Sequence, residues 1–128
     1  MASIKDFKLI SDQEAQKLAE VGIRTCSQLL ERASTPVDRM NLADKIGIDG
    51  SLVADLTNHS DMMRVKGMTP KLAVALCKTG VCTVPKLAYH SIAGLHEKLI
   101  EHTDYSVDRK TLEAMVSSAK SLPKIIRH

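Results

Sequence analysis

The 128-residue chain is predicted to be all-α, a compact bundle of short helices with two helical-hairpin repeats, and three observations carry that prediction. Residues 13–30 and 71–88 write one pattern twice, 58 positions apart: A-x-x-L-x-x-x-G-[IV]-x-T-x-x-x-L. Elsewhere apolar residues recur at helical spacing between Ser, Thr or Asp caps and Gly or Pro stops. No segment has the alternation or the β-branched density of a strand.

Across the two copies Ala15 aligns with Ala73, Leu18 with Leu76, Gly22 with Gly80, Ile23 with Val81, Thr25 with Thr83 and Leu29 with Leu87. Self-similarity of this kind means that one supersecondary unit is used twice. The unit reads as a helix, a glycine stop, a short apolar link and a second helix capped by threonine. Gly22 and Gly80 stand where a helix must end, since glycine takes the left-handed conformation without a Cβ clash. Ile23 or Val81 then folds back onto the helix just left. Thr25 and Thr83 cap the next helix, and Gln28 completes a capping box in the first copy. Pro85 falls in the first turn of its helix, where a missing N–H matters little.

The remaining elements follow in chain order. Ser11 with Glu14 makes a capping box for a helix of about residues 12–21. Thr35 before Pro36 starts a helix that runs to Ile46 and stops at Gly47. Asp49 or Ser51 caps a short helix carrying Leu52, Val53 and Leu56. Asn58 or Ser60 opens a turn through Met62, Met63 and Val65 into Gly67. Thr69 and Pro70 start the first helix of the second copy. Ser91 caps a helix with Ile92, Leu95, Leu99 and Ile100 at helical spacing. Ser106 precedes a stripe of Leu112, Met115, Val116 and Ala119 that Pro123 ends. One domain is expected over residues 1–128. Within it, repeat 1 covers about 7–33, connecting helices about 35–64, repeat 2 about 65–90 and C-terminal helices about 91–122.

Hydrophobic residues are 44% and charged ones 26%, a balance that argues against disorder. Aromatics are 2% (Phe7, Tyr89 and Tyr105), so the core must be built from Leu, Ile, Val, Met and Ala. No apolar run approaches the roughly 18–20 residues that span a bilayer, and no signal peptide opens the chain. A soluble cytoplasmic protein is expected. Cys26, Cys77 and Cys82 form no C-x-x-C, and their odd number fits reduced thiols. Cys26 aligns with Val84 and Cys77 with Ala19, positions that take small apolar groups, whereas Cys82 aligns with Arg24. His90, His96 and His102 recur every six residues on different helical faces, while zinc sites prefer about three to five. No metal or cofactor is expected. Carboxylate pairs, nucleophile motifs and glycine-rich nucleotide loops are missing, so no catalytic residue is assigned and the chain is read as not an enzyme.

Val65-Lys66-Gly67-Met68-Thr69-Pro70-Lys71-Leu72-Ala73, followed by Leu76 and Gly80-Val81, resembles the helix-hairpin-helix motif. That motif runs hydrophobic-x-Gly-hydrophobic-Gly-x-x-x-Ala before a leucine-bearing helix. Over about residues 7–125 the chain further resembles a family of bacterial domains of unknown function built from degenerate repeats of this motif. The resemblance implies that hairpin backbone N–H groups at a helix start cradle a phosphate without reading a base. Gly67, Met68 and Thr69 would be the hairpin, with Lys66 and Lys71 flanking it. Thr69 replaces the second hairpin glycine; it can cap the helix but narrows the close approach. The first copy has Leu9, Ile10 and Ser11 there, with no glycine, and is expected to be structural.

The net charge is only +3, but its placement is uneven. Residues 1–61 hold seven Lys or Arg against ten Asp or Glu, a net of −3. Residues 62–96 hold Arg64, Lys66, Lys71, Lys78 and Lys86 and no acid, a net of +5, and residues 97–128 stand at +1. Five such cations can simply solvate helices, or they can form a basic face. The functional expectation is a binding module that contacts the backbone of DNA or RNA irrespective of sequence. Arg64, Lys66, Gly67, Met68, Thr69, Lys71 and Lys78 are its candidate residues. The alternative is a protein scaffold or adaptor, self-associating or not. It would use Met62, Met63, Met68 and Met115, which otherwise fill core gaps.

Overall fold

Eight α-helices and one 3₁₀ turn make up the regular structure of residues 2–128, the part of the chain that the computed structural model describes. The turn Ile4–Phe7 precedes α1 (Asp12–Glu20), α2 (Cys26–Arg32), α3 (Pro36–Ile46) and α4 (Gly50–Met62). Then come α5 (Pro70–Lys78), α6 (Val84–Ala88), α7 (Ile92–His102) and α8 (Arg109–Ser121). Among the described residues there is no strand, only an isolated bridge between Ser3 and Thr25, so the fold is all-α as predicted. The chain divides into two compact units: residues up to Asp61 together with Ile125–His128, and Met62–Lys124.

Local chemistry sets most helix starts. Ser11 Oγ accepts from Glu14 N–H at 3.1 Å while the Glu14 carboxylate accepts from Ser11 N–H at 2.8 Å. Thr25 and Gln28 make the same reciprocal pair at α2. Thr35, Thr69, Thr83 and Ser91 cap α3, α5, α6 and α7, each satisfying a backbone N–H that the helix itself cannot. Two starts and stops differ from expectation. α4 runs unbroken through Asn58 and Ser60, and two of its late polar side chains turn back onto carbonyls one turn earlier: Thr57 Oγ1 donates to Val53 O and His59 Nδ1 to Asp55 O, both at 2.7 Å. At α8 the cap is Asp108, not Ser106; its carboxylate accepts from Thr111 N–H at 2.8 Å.

In the first unit Ile4, Phe7, Leu18, Ile23, Leu29, Val53 and Leu56 are buried. Residues after the second unit return to it: Ile126 is buried, Arg127 N–H donates to Ser34 O at 2.7 Å, and Arg39 donates to Arg127 O at 2.6 Å. In the second unit α8 packs on α6 and α7, and α5 on α7, burying Leu72, Leu76, Leu87, Leu95, Leu99 and Leu112. Met62, Met68 and Met115 are buried and Met63 is half-buried.

The cysteines correct an expectation. Cys77 and Cys82 are joined by a disulfide, with Cα atoms 4.3 Å apart, and Cys26 is the free and buried thiol. The tight turn at Gly80, whose φ is +92°, brings the last turn of α5 back beside the residue that precedes the Thr83 cap. A C-x₄-C spacing matches no common motif, so only the turn reveals the pair.

His59 gives the first unit a pH response. Burial pushes its pKa down, with the Asp55 carbonyl and carboxylate opposing weakly, and its ring meets Phe7 edge-on at 5.3 Å. The folded state therefore binds this proton less readily than the unfolded chain, whose histidine titrates near about 6.5. Its stabilising effect is complete above that pH and falls away as the pH drops below it, with a slope no steeper than about 1.4 kcal/mol per pH unit. Urea melts at about pH 7.5 and 5.5 should show this loss in the wild type and a smaller one in His59→Gln.

Candidate nucleic-acid interface

The second hairpin is built from four local decisions. Val65 is buried and anchors the entry, and Met68 N–H donates to Val65 O at 3.1 Å to close the turn. Gly67 sits between them at φ +87°, a conformation that L side chains rarely adopt. Thr69 then caps α5, accepting from Leu72 N–H at 3.1 Å, and Pro70 occupies the first helical position. Lys66 N–H is taken by Ser118 Oγ on α8 at 3.1 Å. Gly67, Thr69 and Lys71 are left with backbone N–H groups that meet no acceptor among the described residues.

The predicted residues separate into two groups. Lys66, Gly67, Thr69 and Lys71 are exposed together along the hairpin and the first turn of α5. Met68 is only 8% exposed and faces inward. Arg64 is half-buried, and its guanidinium donates to Pro123 O at 2.8 Å, so it ties the hairpin entry to the segment after α8. Lys78 lies in the last turn of α5, eight residues from Pro70, roughly 12 Å along the axis.

Residues not foreseen complete the surroundings. A groove of about 450 Å³ is lined by Lys66, Gly67, Lys110, Thr111, Ala114 and Met115, a lining with two cations and no acid. The available signal was the basic pair Arg109-Lys110 at the start of α8, hidden in a stretch of near-zero net charge. Asp108 stands just before it. Hydrogen bonds from the Thr111 side chain and backbone hold its carboxyl below the usual carboxylate range, engaged in the cap. On another side of the hairpin, the Tyr105 hydroxyl lies 3.4 Å from Thr69 Oγ1.

The first copy has a different electrostatic character at the same place. Its helix start carries Asp12 and Glu14, and the Glu14 carboxylate takes the Ser11 N–H. The first turn of α5 contains no acid. The acids disfavour an anion at the first helix start, and the second start carries none to do so.

An all-α chain in which one helical hairpin is used twice, with a basic edge on the second copy, defines the class of protein. Within that class the chain belongs to the family described as Domain of unknown function (DUF4332), which matches residues 8–122. No curated protein and no solved structure matches it. Among the described residues no helix is long and apolar enough to cross a membrane.

Proposed function

We propose that this chain is a non-enzymatic module of helix-hairpin-helix type that binds the phosphate backbone of nucleic acid through its second hairpin. The observation that carries the reading is the coincidence of open N–H groups at Gly67, Thr69 and Lys71 with the exposed Lys66 and Lys71 side chains. Backbone N–H groups at a helix start and nearby lysines together suit an anion and leave bases unread. Lys110, across the groove, extends the positive lining. Opposing this, Arg64 is committed to Pro123 and Lys78 stands apart, so few contacts are available. Affinity is accordingly weak, roughly 10⁻⁴–10⁻⁶ M at physiological salt, and strongly salt-dependent. A cytoplasmic location accompanies this reading.

The test is fluorescence anisotropy with short duplex DNA and single-stranded RNA at about 50 and 200 mM salt. Lys66→Glu with Lys71→Glu should abolish binding and leave the circular dichroism spectrum unchanged, because both side chains are in solvent. Lys110→Glu should weaken binding and reduce the salt slope by about one. Lys78→Glu, the same charge change at the far end of α5, should have much the smaller effect. Unaltered binding by the Lys66/Lys71 variant sinks the proposal.

A protein adaptor is the second reading. The buried methionines do not serve it, but Val37 and Met40, one turn apart on α3, are 60% and 58% exposed. Assemblies that survive nuclease treatment and break with Val37→Asp would favour it.

A further inference from the structure

The two hairpins differ by one covalent bond. In each, a left-handed glycine ends the first helix, with φ +85° at Gly22 and +92° at Gly80. In each, the next N–H returns to the same helical position: Ile23 to Leu18 O at 2.9 Å, Val81 to Leu76 O at 3.1 Å. The glycine N–H repeats the match, with Gly22 donating to Ala19 O at 3.0 Å and Gly80 to Cys77 O at 3.1 Å. A threonine then caps the second helix of both. The first copy achieves all this with Ala19 and Arg24 where the second has Cys77 and Cys82. The turn therefore closes without a bridge, and the Cys77–Cys82 bond is laid over a geometry that stands without it.

Reactivity separates the cysteines as well. Cys77 and Cys82 are both part-exposed. Cys26 is buried, and burial pushes its thiol pKa up. A thiol kept protonated and covered is a poor nucleophile towards a disulfide. The bond also spans a sequence separation of only 5, the short-loop limit in which a cross-link restricts the unfolded chain least.

From this internal comparison we infer that Cys77 and Cys82 form a reversible redox modification site whose electron donor is a low-molecular-weight thiol such as glutathione. A donor thiolate attacks one sulfur, breaks the bond and leaves a mixed disulfide. A second donor thiolate attacks that mixed disulfide and releases the cysteine. Two electrons and two protons end on Cys77 and Cys82 as two thiols, and the donor departs as its own disulfide. Oxidised donor runs the sequence backwards. The α5–α6 hairpin thus passes between a cross-linked form and one held like the first copy. Such exchange is compatible with a reducing compartment, where a permanent disulfide is rare.

The experiment equilibrates the folded 128-residue chain in glutathione buffers from fully reduced to fully oxidised, approached from both sides. Samples are acid-quenched, alkylated in denaturant and weighed intact. One alkylated thiol at the oxidised end and three at the reduced end, with an unchanged helical spectrum throughout, is the expected result. The Cys77→Ala, Cys82→Ala double variant should keep that spectrum and show one thiol in every buffer. A bridge that withstands excess reduced glutathione and opens only in denaturant overturns the inference. So does loss of the helical spectrum on opening, or three thiols under all conditions.

Discussion

Leu76→Ala should lower the unfolding free energy by roughly 3 kcal/mol, within the 2–5 kcal/mol that buried leucine truncations cost. Leu76 is 1% exposed and accepts the Val81 N–H on its carbonyl, so its side chain packs where the hairpin folds back. Leu18 is its counterpart in the first copy and is 0% exposed. Leu18→Ala is expected to cost about the same. Urea melts followed by two probes will separate the units, because Tyr89 and Tyr105 both lie in the second and the first has no Tyr or Trp. Far-ultraviolet circular dichroism reports on both. A loss below about 1 kcal/mol at either leucine, with the full loss at the other, would show that the copies share a pattern but not an energetic role.

Opening the Cys77–Cys82 bridge is the second large effect. Closing so short a loop is worth about 2 kcal/mol in the chain-entropy account. Cys77→Ser with Cys82→Ser should therefore melt roughly 5–10 °C below the oxidised wild type. Dithiothreitol should bring the wild type down to the same temperature and leave the variant where it is. An unchanged melting temperature on reduction would mean that the bond adds nothing to the folded state. The two substitutions leave Cys26 in place, so its packing does not confuse the comparison.

Much of the architecture was legible because its causes are local. A threonine three residues before the N–H that it accepts, or a glycine forced to positive φ, acts within one turn of chain, and Thr25, Thr83, Gly22 and Gly80 all behave as read. Legibility fails where burial decides. Asn58 and Ser60 read as the opening of a turn, yet α4 continues through them to Met62, with Thr57, His59 and Ser60 buried. Ser106 and Asp108 are both competent caps two residues apart, and the carboxylate took the helix start. At the candidate site, linear charge spacing placed Arg64, Lys66, Lys71 and Lys78 in one group. The fold commits Arg64 to Pro123 and leaves Lys78 at the far end of its helix. Lys110 and Tyr105 could not be found in this way, since each meets the hairpin across about 40 residues of chain, a tertiary proximity that spacing does not encode.

The return of Ile126 and Arg127 to the first unit bears on how the protein is made. Every residue of the second unit leaves the ribosome before Ile126 does. At roughly 5–20 residues per second, the first unit waits several seconds for the segment that covers its edge at Ser34 and Arg39. The second unit, contiguous from Met62 to Lys124, has no such wait. Translation thus leaves the earlier half unlatched for as long as the later half is being made, and over that interval the nascent chain is most open to proteases and chaperones at its older end.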